Sequence, residues 1–103
     1  MIANTSPPPY YAVIFTSLKN DPSEGYAAMA EKMDALAKVQ PGYLGVESAR
    51  AEIGITVSYW KDLDSIRKWK EHSEHLLAQQ LGINEWYSAY CVRICLVERE
   101  YHF

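Results

Sequence analysis

The stretch Gly54–Gln80, GITVSYWKDLDSIRKWKEHSEHLLAQQ, decides the fold because a β-branched strand runs directly into an amphipathic helix. Ile55, Val57 and Tyr59 recur with period two, which is the pattern of a strand. Asp62 then offers a helix N-cap, and the apolar residues after it recur at three- and four-residue intervals. The predicted inward stripe of this helix consists of Leu63, Ile66, Trp69, Leu76 and Leu77. The stretch therefore predicts a strand followed at once by a helix.

Three further elements are predicted upstream of this stretch. Tyr11–Leu18 has two largely apolar faces, which indicates a strand covered on both sides. A helix is predicted next, because Asp21 can cap it, Pro22 fits its first position and Glu24 completes a capping box. Tyr43–Arg50 is then predicted to be a strand that forms a hairpin with the strand described above.

The remaining elements lie downstream. Gly82 is predicted to end the second helix, and Asn84–Tyr90 to add a short helical or turn segment. Tyr90–Val97 is predicted to be the last strand, apolar on both faces. The order β, α, β, β, α, β predicts an α+β protein of the ferredoxin-like type, in which an antiparallel four-stranded sheet carries both helices on one face.

Two helices cover only one side of such a sheet. The other side would carry every second residue of the last strand. These residues are either Val92, Ile94 and Leu96 or the set that includes Cys91 and Cys95. No segment of the chain is expected to remain for this side, and an exposed apolar surface of that size favours association. The sequence therefore predicts a homodimer in which the same face of a second copy covers it.

The bulk composition restricts the classes of function. A chain of 103 residues has the length of one domain, predicted here as a flexible Pro-rich arm over 1–9 and a single domain over 10–103. A net charge of -3, with 22% charged residues, indicates no surface for a polyanion, so nucleic acid is not an expected partner. No apolar run approaches the roughly 18 residues of a membrane span, and MIANTSPPPYY has no signal-peptide pattern. We therefore expect a cytoplasmic protein without a membrane partner.

Two cysteines and two strand arginines are assigned no chemistry. Cys91 and Cys95 would lie about 13 Å apart in one strand, too far for a disulfide, and are predicted to be free, buried thiols. Arg50 and Arg93 are interpreted as structural residues that pair with an acid such as Glu47 or Glu98. The sequence contains no GxGxxG, P-loop, HExxH, GxSxG or CxxC motif, so any catalysis is expected to need few cofactors.

Three tryptophans are the first candidates for function. Trp60 ends the third predicted strand, Trp69 lies two turns into the second helix, and Trp86 follows it. Large aromatics at these spacings fill the space between helices and sheet in many proteins. They can equally form the wall of a pocket that stacks a planar ligand, and the sequence leaves both interpretations open.

The second candidate group is EHSEH, which contains His72 and His75. A metal site would need matching ligands from other helices, and none is evident, so no metal is predicted. In an unbroken helix His75 would lie almost opposite the apolar stripe and face solvent. A helix break at Ser73 would instead turn His75 toward the sheet, where it could act as an acid, a base or a ligand. Both arrangements stay open at this point.

The motifs SYW, DLDSIRKW and KEHSEH, together with PGYLGVESAR after the first helix, resemble those of the antibiotic biosynthesis monooxygenase family. The resemblance extends from about Tyr10 to Tyr101. It implies a dimeric α+β barrel, and some small stand-alone bacterial members of the family are described as haem-degrading. In members that oxidise polycyclic hydroquinones without metal or flavin, a strand tryptophan matching Trp60 helps to hold the substrate. An asparagine found four residues earlier in some of them is Thr56 here.

In haem-degrading relatives the resemblance places the helix tryptophan at Trp69, but the position of their histidine ligand is Gln79 here. Their first-strand asparagine has no counterpart in Tyr10–Leu18. Haem binding would therefore need His72 or His75 as a substitute ligand.

Three functions follow from the residues and the resemblance together. The first is a cofactor-independent monooxygenase that acts on an aromatic or polycyclic small molecule bound between helices and sheet. The second is a haem-binding or haem-degrading monooxygenase, and the third is a dimer that binds a small molecule without catalysis. In the first, His75 and Trp60 are the expected catalytic residues. The expected substrate-binding residues are Trp60, Trp69, His72, Trp86 and Phe15.

Overall fold

The structure of the protein, a computed structural model, describes residues 2–20, 25–79 and 86–103, with the side chains of 77–79 left aside. Its elements are β1 (Tyr10–Lys19), α1 (Tyr26–Lys38), β2 (Tyr43–Arg50), β3 (Gly54–Trp60), α2 (Leu63–Gln79) and β4 (Tyr87–Val97). The four strands form one antiparallel sheet in the order β2, β3, β1, β4. The ferredoxin-like α+β fold predicted from the sequence is confirmed.

The bounds of the β2–β3 hairpin agree with the prediction, and the backbone N–H of Ala51 donates to the carbonyl of Ile53 at 2.9 Å in its turn. β4 begins at Tyr87, earlier than expected, because the register shifts beside Leu18 and lets Lys19 pair with Tyr87. Such a bulge places an extra residue in one strand and extends the pairing past it. The predicted helix end at Gly82 lies outside the described residues, as does Asn84.

The two helices begin differently. The backbone N–H of Ser65 donates to Asp62 Oδ1 at 2.8 Å, which confirms Asp62 as the N-cap of α2. α1 begins after Gly25, which has a φ of 79°. The capping box predicted for this helix, Asp21, Pro22 and Glu24, lies outside the described residues. Neither described helix has the length and apolarity needed to cross a bilayer.

The buried stripe of α2 begins at Ile66, whereas Leu63 is more than half exposed, so the predicted stripe is one turn too long at its start. Trp69 and Leu76 are both partly buried. On α1 the buried side chains are Met29 and Ala37, one on each side of its middle. Each helix therefore packs against the rest of the protein through a few buried side chains.

Strand register determines which side chains share a face with the helices. Residues paired across antiparallel strands point to the same side of the sheet. Trp60 pairs with both Tyr11 and Tyr43, and Tyr11 also pairs with Leu96. We call such a set of residues paired across the strands a row. Because Trp69 of α2 stacks on Trp60, the row that contains Trp60 faces the helices. The next three rows on this side are Val46, Ser58, Val13 and Ile94; then Ser48, Thr56, Phe15 and Val92; then Arg50, Gly54, Ser17 and Tyr90.

The amino-terminal arm lies on the opposite face, where no covering segment was expected. The backbone N–H of Ala3 donates to Glu47 Oε2 at 2.8 Å, and Tyr59 Oη donates to Glu47 Oε1 at 2.6 Å. A Cβ on Gly45 would lie 2.9 Å from the Cβ of Ala3, so the arm is in close contact with β2. The expectation that this face lacks any cover from the chain itself is therefore wrong at this edge. The homodimer and the flexibility of residues 1–9 stay predictions.

The cysteines and Arg50 depart from the sequence interpretation. Both Cys91 and Cys95 are free, but Cys91 is exposed and Cys95 is only partly covered. Their predicted burial is wrong within one chain, because β4 is an edge strand with a neighbour on one side only. Arg50 does not pair with Glu47, because the two side chains point to opposite faces of the sheet. The Arg50 guanidinium instead donates to the hydroxyl of Ser17.

The Glu47 contacts give a prediction for the pH dependence of stability. The Tyr59 hydroxyl and then the Ala3 N–H stabilise the ionised carboxylate, which lowers the pKa of Glu47 below its ordinary value of 4.5. The folded chain thus binds fewer protons at this group than the unfolded chain. This stabilising contribution is complete above pH 4.5 and is lost as the pH falls through the lower, folded-state pKa.

We therefore expect the stability difference between the native chain and Glu47→Gln to shrink as the pH is lowered from 6 to 3. Urea unfolding at a series of pH values in this range measures it. Tyr59→Phe, which removes only the principal donor, should show a smaller pH dependence than the native chain. A stability difference that is constant over the range would contradict the assignment.

Candidate functional site

Trp60 is the best-packed side chain of the described residues. It is 0% exposed, its Nε1–H donates to Ser58 Oγ at 2.9 Å, and Tyr43 meets its ring edge-on at 5.7 Å. The Trp69 ring stacks on it at 6.0 Å between centroids. Its position at the end of an inner strand explains this burial, because Tyr11 and Tyr43 flank it on both sides. In this structure Trp60 is a packing residue, and its ring has no surface open to solvent.

Trp69 is the link between the core and the surface of α2. One side of its ring faces Trp60, and the His72 ring stacks against it with a centroid distance of 6.0 Å and an angle of 29°. Residues three apart on a helix are neighbours on its surface, which explains the contact. The structure thus brings together three of the residues that were predicted to bind a substrate. Among the described residues, no group of three His, Cys, Asp or Glu side chains is arranged to hold a metal ion.

His75 lies apart from this stack. α2 continues through Ser73, whose hydroxyl donates to the carbonyl of Lys70 at 3.1 Å. This bond satisfies the serine inside the helix, so the break considered at Ser73 does not occur. His75 accordingly lies on the exposed surface of α2, as expected for an unbroken helix.

Phe15 and Trp86 belong to a second aromatic cluster. Phe15 contacts Tyr87 at 5.4 Å and Tyr90 at 5.5 Å between ring centroids. Tyr26 contacts Tyr87 at 5.6 Å and Trp86 at 6.3 Å. Trp86 is buried, and burial followed by the hydrogen bond to Tyr26 raises the pKa of Tyr87, so this phenol stays protonated. The predicted binding residues are therefore divided between two clusters.

The surface between the two clusters is unusually polar for a covered inner strand. Gly54, Thr56 and Ser58 are the residues of β3 that face the helices in these rows. The larger apolar set of the same strand points the other way. Thr56 and Ser58 remain partly exposed although α1 and α2 lie on this side. The helices therefore cover the small side chains of Thr56 and Ser58 only in part.

β4 and β1 provide the apolar part of the same surface. Val92, Ile94 and Leu96 are 48%, 51% and 49% exposed although they lie on the helix side. Val13 and Phe15 of β1 are also partly exposed. We call this surface the helix-side groove. Its residues are Val13, Phe15, Thr56, Ser58, Val92, Ile94 and Leu96.

Thr56 and Ser58 are not among the binding residues predicted from the sequence. The alternation along β3 predicts two different faces, but it does not by itself indicate which of them lies under the helices. The useful signal is that Thr56 and Ser58 lie on the same side of the strand as Trp60. Since Trp60 is buried under α2, every second residue before it must face the helices as well.

A cleft of about 240 Å³ opens at the end of the sheet remote from Trp60. It is lined by Lys19, Asn20, Arg50, Ala51 and Glu52. Its charged lining contrasts with the apolar side of the helix-side groove.

Comparison with known proteins gives one sequence relative and several structural ones. No family model matches the chain. The Bacillus subtilis (strain 168) protein YqjZ, described as uncharacterized, is 48% identical over 101 residues, which cover 96% of this chain and 89% of that protein.

The structural relatives share the fold at low sequence identity. The Shewanella oneidensis protein SO0527 has a TM-score of 0.72 at 11% identity, over 93% of this chain and 95% of its own. A Bordetella bronchiseptica structure named "putative antibiotic biosynthesis monooxygenase" has a TM-score of 0.66 at 16% identity, over 92% of this chain and 100% of its own. These likenesses show that the chain has a fold of the antibiotic biosynthesis monooxygenase type.

The packing of Trp60 predicts a large loss of stability on its truncation. Trp60→Ala should lower the free energy of unfolding by about 3 to 5 kcal/mol, because it leaves a cavity among aromatic rings. Trp69→Ala, at a partly exposed position, should cost clearly less. Urea denaturation followed by circular dichroism measures both changes. Equal costs for the two variants would contradict the placement of Trp60 at the centre of the packing.

Proposed function

The chain belongs to the family of the Bacillus subtilis protein YqjZ, and we propose that it oxidises an aromatic or polycyclic small molecule with molecular oxygen, without a bound cofactor. The substrate would lie in the helix-side groove. The fold, which is shared with a structure named for antibiotic biosynthesis monooxygenases, is the reason for considering this reaction class. Fold alone does not specify a reaction, so the proposal depends on the groove itself.

The observation that carries the proposal is the composition of the groove. Ligand sites combine apolar walls with a few polar groups that fix orientation. Here Val92, Ile94 and Leu96 of β4 offer a wide apolar surface, while Thr56 and Ser58 place hydroxyls on β3, which is separated from β4 by β1. A planar ring system with one or two oxygen atoms matches that arrangement.

The reaction balances without an external reductant. An anthrone-type substrate loses both hydrogens of its methylene carbon, and oxygen supplies one atom to the new carbonyl group and one to water. The substrate thus provides all four electrons that reduce the oxygen molecule. The protein would need to bind the ring system, hold its oxygen and accept the first proton, after which the carbanion reacts with oxygen.

Residues of both the sheet and the helix layer would carry out these tasks. The Thr56 hydroxyl would donate a hydrogen bond to the substrate oxygen, and the edge of the Trp69 ring would contact the ring system. His72, the histidine that stacks on Trp69, is the proton acceptor that the geometry favours, with His75 as the alternative on the same helix. Trp60 would act indirectly, by supporting Trp69 from below.

Haem is the second candidate, because α2 presents two exposed histidines and a neutral imidazole is a common axial ligand of haem iron. His72 beside Trp69 is better placed than His75. A hemin titration separates this candidate from the first. A Soret band that shifts on binding and is lost in His72→Ala would favour haem, whereas an unchanged hemin spectrum would exclude it.

Oxidation of an anthrone under air tests the leading proposal. We expect quinone formation, followed by absorbance, and consumption of one oxygen molecule per quinone. Thr56→Val keeps the shape but removes the hydroxyl, and should lower kcat/KM about 3- to 10-fold, the effect of one lost hydrogen bond.

Thr16→Val is the matched control, because Thr16 lies on the opposite face of β1 and should leave kcat/KM unchanged. A native chain with no turnover above the rate without protein would refute the oxygenase proposal. If the anthrone still raised the melting temperature in that case, binding without catalysis would be the better assignment.

A further inference from the structure

Arg50 is held in a fixed position on the helix side of the sheet. It ends β2 in the same row as Gly54 and Ser17. Its Nη2 donates to Ser17 Oγ at 2.6 Å, and Ser17 is only 2% exposed. A Cβ on Gly54 would overlap with the guanidinium, so the glycine supplies the space that the arginine occupies. The side chain therefore crosses β3 in a defined orientation.

A second cation lies close to Arg50. The Lys19 Nζ is 4.8 Å from the centre of the Tyr26 ring, and the Arg50 Cζ is 5.8 Å from the same point. Two cations on one ring repel each other, and this repulsion favours an anion nearby. Within the part of the chain that the structure describes, no carboxylate forms an ion pair with either side chain.

Both cations line the cleft of about 240 Å³, and Glu52 lies on the same lining. Tyr26 connects this cleft to the groove, because its ring contacts Tyr87, which in turn contacts Phe15. Phe15 belongs to the helix-side groove. An aromatic ligand anchored in the cleft could thus extend over successive rings into the groove.

We propose that the cleft binds the carboxylate of an aromatic acid, with Arg50 as the principal donor and Lys19 as the second. The aromatic body then lies along Tyr26, Tyr87 and Phe15. Where it concerns the substrate, this inference rests on the proposed function. It narrows the class of substrates to planar ring systems that carry an acidic group. As a statement about binding, it is independent of any oxidation.

The lining favours a carboxylate over other anions. The guanidinium fork matches the two oxygens of a carboxylate, and it retains donors beyond the one used by Ser17. The Glu52 carboxylate on the lining disfavours a doubly charged phosphate more than a singly charged acid. Ring contacts beside the cations also favour an anion with an aromatic body.

Fluorescence titration with anthracene-2-carboxylate and its neutral carboxamide tests the proposal at low and at high salt. We expect the native chain to bind the acid about 10-fold more tightly than the amide at low salt, the usual effect of a charge-assisted hydrogen bond. Arg50→Gln should abolish this preference. Gly54→Ala should weaken it as well, because it displaces the guanidinium while retaining the charge.

Arg93→Gln is the matched control, since Arg93 is a strand arginine on the opposite face and should leave the preference unchanged. Equal affinities of the native chain for acid and amide, or no binding of either, would overturn the proposal. Inorganic phosphate that displaces the acid at lower concentration than benzoate does would overturn the choice of a carboxylate. Acid preference without anthrone oxidation would support the anchor and count only against the oxygenase function.

Discussion

The pairing of β1 with β3 is the constraint on which the rest of the structure depends. Tyr11 lies opposite Trp60, and Ser17 lies opposite Gly54. Every second residue of β3, from Gly54 to Trp60, therefore lies beneath the helices. A slip of one residue would exchange the two faces of the strand and place its large apolar side chains under the helices. The enclosed Trp60 ring and its bond to Ser58 oppose such a slip at one end of the strand.

This register gives each face of the sheet a distinct role. On the helix side, β3 presents a glycine and two small hydroxyl residues, and Thr56 and Ser58 remain partly exposed there. The opposite side receives the bulkier set of β3, together with the arm that is bound through Glu47. Leu18 and Ile55 on this side remain 43% and 40% exposed, so the arm covers the face only in part. A second copy of the chain would find apolar surface there, as the predicted homodimer requires.

The helix-side groove also differs in chemistry between its ends. At one end Trp60 is closed off by aromatic rings, and Trp69 and His72 continue the stack to the surface. At the other end Arg50 and Lys19 bring positive charge against the ring of Tyr26. The helix side of the sheet therefore has an aromatic end and a positively charged end.

The sequence by itself determined the order of elements, the β2–β3 hairpin and the Asp62 cap, because periodicity and capping depend on residues close together in the chain. It did not determine which alternate side chains of β3 face the helices. Alternation shows that the two faces of a strand differ, but it does not show what covers each face. Ser73 illustrates the same limit, because a serine can cap a new helix or bond back to a carbonyl, and here it bonds to Lys70. The position of Arg50 over Gly54 was likewise decided only by tertiary structure, because pairing between distant strands, rather than local pattern, brings Ser17 within its reach.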